Sequence, residues 1–172
     1  MNNSENGNGH HIVIEIEEFQ LRGRAGDVLS DDFRNQLSKA LESRALTMTG
    51  WSQGGSPNLA KLSTSPKRTI LYYKSFSGRS RYKNLNTGLL GFWGLRRNQL
   101  TRLESADVRW FAVFLLRSPT AGYVLTSAEV ISRIDDGSFK LNKDGDYKIS
   151  ESHLDVVEQR FQSLQHLLDR IL

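Results

Sequence analysis

Trp110-Phe111-Ala112-Val113-Phe114-Leu115-Leu116 is an unbroken apolar run, far short of the roughly 20 residues that cross a bilayer. It is also too uniformly apolar for a strand with one wet face. A strand covered on both sides fits it, which puts helices on either face of a sheet and predicts an α/β (α+β) chain. Outward towards the C-terminus, Gly122 to Leu125 reads as its hairpin partner across Ser118-Pro119-Thr120-Ala121, and Ser127 to Ile134 as a short helix. Asp135-Asp136-Gly137 and Lys143-Asp144-Gly145-Asp146 are turn sequences. Leu154, Val157, Phe161, Leu164, Leu168 and Ile171 recur at three and four residues, so residues 152–172 are expected as an amphipathic helix. Its seam leaves two outcomes open, docking on the domain or pairing with another copy as a homodimer.

Outward towards the N-terminus, Arg96 to Ala106 fits a helix with Leu100 and Leu103 inward, preceded by an irregular, glycine-rich stretch from Ser77 to Gly94. Arg68 to Phe76 and Leu59 to Ser63 read as strands joined at Ser65-Pro66-Lys67. Ser30 is placed to cap a helix reaching about Ala45 or Leu46, with Phe33, Leu37, Ala40 and Leu41 at helical spacing. Ile12, Ile14 and Ile16 alternate as a strand does, and residues 1–11 are a polar tail in which His10 and His11 are not metal ligands. The order predicts one domain over residues 12–172, a mixed central sheet flanked by helices.

Charge is distributed unevenly along the 172 residues. The net charge is +4, but residues 43–103 hold 11 basic and no acidic side chains, leaving 12 basic against 19 acidic elsewhere. A basic middle between acidic ends suits a polyanionic partner. The alternative is that the acidic ends fold against the basic face and neutralise it. With no cysteine there is no disulfide framework, thiolate nucleophile or Cys-type zinc site. The polar start is neither a signal nor a transit peptide, so the expectation is a soluble cytoplasmic protein with no membrane partner.

Three short motifs carry little. Gly50-Trp51-Ser52-Gln53-Gly54 has the G-x-S-x-G spacing, but the strand before and helix after that such a nucleophile needs are missing from its surroundings. Lys143-Asp144-Gly145-Asp146 lacks the terminal glutamate and remaining ligands of a calcium loop and reads as a hairpin turn. Gly88 to Gly94 has no Lys-Ser/Thr pair for a phosphate loop. The basic stretch carries more. Lys61, Arg68, Lys74, Arg79, Arg81, Lys83, Arg96 and Arg97 can meet phosphates, while Tyr73, Phe76, Tyr82 and Trp93 offer ring faces to bases or sugars.

Helix 30–46, then Pro57-Asn58-Leu59-Ala60-Lys61-Leu62, then Arg68-Thr69-Ile70-Leu71-Tyr72-Tyr73-Lys74-Ser75, then a second helix and the strand at Trp110, together resemble the α-β-β-β-α-β core of the PD-(D/E)XK, restriction-endonuclease-like superfamily. Arg109-Trp110-Phe111-Ala112-Val113-Phe114 and Tyr123-Val124-Leu125-Thr126-Ser127-Ala128-Glu129-Val130 are similar to the tail of that core, where one strand leads into a second strand and a short helix, so the resemblance spans about residues 30–150. It implies Lys74 as the motif lysine, but Tyr72 stands where the acid two residues earlier belongs, and Asn58 or Lys61 stands for the acid of the preceding strand. Glu42 matches an accessory ligand of some members. The implied protein is a degenerate nuclease that binds DNA or RNA, DNA ahead of RNA, with vestigial residues Lys74, Tyr72, Lys61, Asn58 and Glu42 and no confident catalytic or metal residue. No cofactor is expected, Mg²⁺ entering only if the centre is an active endonuclease of non-standard composition. An interaction module, or a small-molecule enzyme holding a phosphorylated ligand on Arg79 or Arg81, are the other classes.

Overall fold

The computed structural model describes residues 28–51, 58–75, 83–84, 88–89 and 91–172, the pairs at 83–84 and 88–89 in their backbone only. The expected strand at Ile12 to Ile16 and the tail lie outside these residues. Helix α1 covers residues 28–42 and is followed by β1 (Met48–Gly50), β2 (Leu59–Leu62) and β3 (Thr69–Lys74). Next come the two-residue strands β4 (Lys83–Asn84) and β5 (Gly88–Leu89), then β6 (Phe92–Arg96) and helix α2 (Arg97–Ser105). Strands β7 (Arg109–Leu115) and β8 (Gly122–Thr126) lead into helix α3 (Ser127–Asp135), and β9 (Lys140–Leu141), β10 (Asp146–Ser150), β11 (Arg160–Phe161) and helix α4 (Leu164–Ile171) complete the order.

The apolar run at Trp110 lies inside the main sheet, whose order is β1-β2-β3-β7-β8-β11. Strands β1, β2 and β3 form an antiparallel meander, β3 and β7 run parallel, and β8 and β11 add on antiparallel. A mixed α/β architecture follows. Because side chains alternate along a strand, β7 divides its residues between two cores. Trp110, Ala112 and Phe114 join Ile70 and Tyr72 on one face, covered by Leu100 and Leu103 of α2, Val130 of α3, and Trp93, Leu95 and Ile149 of β6 and β10. Phe111, Val113 and Leu115 join Leu71 and Tyr73 on the other, under Phe33, Leu37 and Leu41 of α1 and Leu167, Leu168 and Ile171 of α4. The β7–β8 hairpin is close enough to demand glycine: a Cβ on Gly122 would sit 2.2 Å from the Phe114 carbonyl oxygen.

Several elements differ from the expectation. Ser30 lies within α1 and not at its cap, and α1 ends at residue 42, where a turn follows with Ala45 at φ 57°. Phe92–Gly94, expected to be irregular, and Arg96, expected to start a helix, belong to one strand, Phe92–Arg96, paired along its full length with β10, Trp93 and Leu95 alternating inward. The residues expected as a single C-terminal helix form a one-turn 3-10 helix at Glu151–His153, strand β11 and helix α4. After the first of these Asp155 opens a turn by accepting the Val157 and Glu158 N–H groups on its own carboxylate, and Val157 is 82% exposed. The Gln159 carbonyl accepts the Val124 N–H at 2.8 Å, and Arg160 and Phe161 then extend the sheet as β11. Only α4 is α-helical; Ser163 caps it by accepting the His166 N–H. Its apolar side, Leu167, Leu168 and Ile171, is buried on the sheet of its own domain.

Candidate nucleic-acid interface

The C-terminal end of β3 brings Tyr72 and Lys74 to one face, two residues apart. Tyr72 is 1% exposed, and its hydroxyl accepts the Arg96 backbone N–H at 3.2 Å, which ties β3 to the point where β6 becomes α2. Lys74 Nζ lies 5.8 Å from the Tyr72 ring centroid. Burial pulls the Lys74 pKa below its ordinary value, with Arg96 and Lys148 acting in the same direction and Asp146 opposing them. Burial likewise pushes the Tyr72 hydroxyl up, so it stays a neutral phenol.

Asp146 reaches this corner through strand pairing. It is the direct partner of Arg96 across the β6–β10 ladder, and its Oδ2 lies 4.0 Å from Lys148 Nζ. Beyond it the β9–β10 tip is a tight turn: Asn142 Oδ1 accepts the N–H groups of Asp144 and Asp146, and Gly145 takes φ 81°, which favours glycine. The Gly145 carbonyl accepts the Arg97 N–H at 3.0 Å, pinning the tip to the first turn of α2.

Between the tip and α2 lies a cleft of about 790 Å³, lined by Arg96, Arg97, Asn98, Thr101 and Arg102 on one side and Asp144, Gly145 and Asp146 on the other. Its volume is that of a small-ligand site. The first turn of α2 has no acidic residue and opens on two arginines at its positive end, an arrangement unfavourable for the helix alone. Among the described residues no carboxylate stands within ion-pairing distance of Arg96 or Arg97.

The residues expected to act are only partly brought together. Tyr72, Lys74, Arg96 and Arg97 converge. Lys61 pairs with Ile70 across the sheet, four residues along β3 from Lys74, about 13 Å away. Arg68 is exposed at the other end of β3. The Asn58 carbonyl accepts the Tyr73 N–H at 3.0 Å in the β2–β3 ladder. Glu42 is exposed at the end of α1, which packs on the opposite face of the sheet. Trp93 and Tyr73, expected to offer ring faces, are 2% and 1% exposed. Trp93 packs on Phe114 and donates its indole N–H to the Leu115 carbonyl, and Tyr73 packs on Phe33. Inward alternation on β6 and β3 takes both rings into the cores. Phe76, Arg79, Arg81 and Tyr82 lie outside the described residues, as does the Lys83 side chain. Asp144, Asp146, Lys148, Asn98, Thr101 and Arg102 were not expected at the site; the Lys143–Asp146 turn marked the tip but nothing in it marked α2 as its neighbour.

No group of three or more His, Asp or Glu side chains that could hold a metal occurs among the described residues, and no helix among them is long and apolar enough to cross a membrane. No known protein family, curated protein or solved structure matches the chain.

Proposed function

We propose that the protein binds DNA or RNA through phosphate contacts at the cleft where β3 ends and α2 begins, and does not cleave it. The observation that carries this reading is the meeting of Arg96, Arg97 and Arg102 in one cleft beside Lys74, with no carboxylate paired to Arg96 or Arg97 among the described residues. Helix α1, the antiparallel strands β1 to β3 and, after the additional strands β4 to β6, α2 and the β7 strand parallel to β3 keep the relative order that the nuclease resemblance implies, which supports a nuclease-like ancestry. The donor set argues against cleavage. Tyr72 replaces the motif acid, and the carboxylate that faces Lys74, Asp146, has Lys148 and Arg96 beside it. Cations so placed repel the Mg²⁺ that a nuclease of this kind would need to hold.

The test is binding of labelled single-stranded and duplex oligonucleotides from 50 to 200 mM salt. Four phosphate contacts, one each for Arg96, Arg97, Arg102 and Lys74, predict an affinity loss of about 50- to 150-fold over that range. A flat response would overturn the electrostatic reading. Plasmid incubated with Mg²⁺ or Mn²⁺ should stay intact, and cleavage abolished by Lys74→Ala would show that the centre is active.

A further inference from the structure

We infer that the cleft reads the ribose hydroxyl next to the bound phosphate and therefore prefers RNA to DNA, an inference that rests on the nucleic-acid reading above and gives its substrate class. A site for phosphate alone would be lined by cations and neutral donors. This one sets two carboxylates, Asp144 and Asp146, on the wall facing Arg96, Arg97 and Arg102. A carboxylate repels phosphate and only accepts hydrogen bonds, so the oxygens of these two that have no donor within the protein can take one from the ligand.

Their disposition selects the donor. Asp146 is the direct cross-strand partner of Arg96, which places the two Cα atoms about 5 Å apart. In a nucleotide the hydroxyls of the sugar lie that close to a phosphate, while the base edge is on the far side of the sugar. DNA within a strand has no such hydroxyl, whereas every RNA residue carries a 2′-hydroxyl that can donate.

Both carboxylates are held ready. The Asn142 side chain takes the Asp144 and Asp146 N–H groups and donates to Asp144 Oδ2 at 3.2 Å, and Arg97 N–H to Gly145 fixes the tip against α2. Asp146 faces Lys148 through Oδ2. Each carboxylate so retains an oxygen that receives no hydrogen bond from the described residues, while neither pairs with Arg96 or Arg97. Wall and floor are thus divided by chemistry: guanidinium groups for the phosphate, carboxylates for the adjoining diol or hydroxyl.

The experiment measures fluorescence anisotropy of the full chain with RNA and DNA strands of one sequence, and with RNA methylated at every 2′-oxygen, at fixed salt. The expected result is RNA bound about tenfold more tightly than either DNA or methylated RNA, the size of one hydrogen bond to a charged group. Asp144→Ala with Asp146→Ala removes both acceptors and should bring that ratio to about one, while Arg97→Gln weakens all three ligands alike. Equal affinity for RNA and DNA, with the salt dependence intact, would overturn this inference and leave phosphate binding standing. A preference for RNA that survives both Asp substitutions would also overturn it. Absence of binding to all three would remove the nucleic-acid reading as well.

Discussion

Lys74 illustrates a side chain placed against its own solvation. Burial lowers its pKa from the usual value near 10.5, so the folded protein holds that proton less tightly than the unfolded chain does. Charged Lys74 therefore opposes folding below its folded-state pKa, and the penalty fades as pH rises from there towards 10.5. Lys74→Met should stabilise the fold at neutral pH by about 0.5–2 kcal/mol. It should also flatten the pH dependence of Tm up to about pH 10 and weaken nucleic-acid binding. Thermal melts of both proteins from pH 7 to 10 check this; a lower Tm for the variant at pH 7 would refute it. Tyr123 is perturbed in the opposite sense. Its hydroxyl donates to Glu151 Oε1 at 2.9 Å while Oε2 accepts the Gly91 N–H, and burial followed by Glu151 pushes its pKa up to about 12. A raised phenol pKa contributes stability that is present below pH 10 and lost as pH climbs through about 12. Tyr123→Phe leaves Glu151 short of a donor and should lower stability by about 1–3 kcal/mol at neutral pH. The variant should also lose part of the alkaline decline, which denaturant titrations at pH 8 and pH 11 would reveal.

At the scale of elements, legibility in the sequence followed whether one period governed a segment. Strand β7 was plain because both its faces are buried and no polar residue interrupts Trp110 to Leu115. Strand β6 was hidden because Gly94 read as loop and Arg96 as the start of a helix; the ladder to β10, some fifty residues on, is what holds it extended. The C-terminal segment misled because Leu154, Val157 and Phe161 happen to keep helical spacing. The Asp155 turn and the Gln159 bond to Val124 override that local pattern with tertiary contacts. The site shared this fate. Arg96, Arg97 and Lys74 were visible as charges, but the approach of Asp146 depends on β6 pairing with β10, which no local pattern encodes. Helix α4 supplies the matching test. Leu168 is 1% exposed against the sheet, so Leu168→Ala should lower stability by about 2–5 kcal/mol with no change in size-exclusion elution of the folded protein. A seam between two copies would instead shift elution while the melt changed little.

For the molecule as a whole, the acidic ends do fold onto the basic middle, but only at some places. Arg44 pairs with Asp169 at 3.1 Å and Lys67 with Asp107 at 2.7 Å, each joining a cation of the acid-free stretch to an acid beyond it. The Lys67 pair is exposed and the Arg44 pair partly so, and both add little to stability, yet each offsets a charge that could otherwise meet phosphate. Arg96 and Arg97 face two aspartates across the cleft without pairing to either. Neutralisation is therefore local, and the polyanion should feel the cleft more than the average charge. Replacing Arg96 and Arg97 by Gln removes two phosphate contacts and should reduce the slope of log K against log salt by roughly 1.5. Replacing Arg44 and Lys67 by Gln removes the same formal charge from paired sites and should leave the slope unchanged. The two double variants have equal net charge, so steering by the whole-molecule field would treat them alike. Equal slopes for the pair would mean that the basic middle acts as a diffuse surface, and unequal slopes in the stated order locate the contacts at the start of α2.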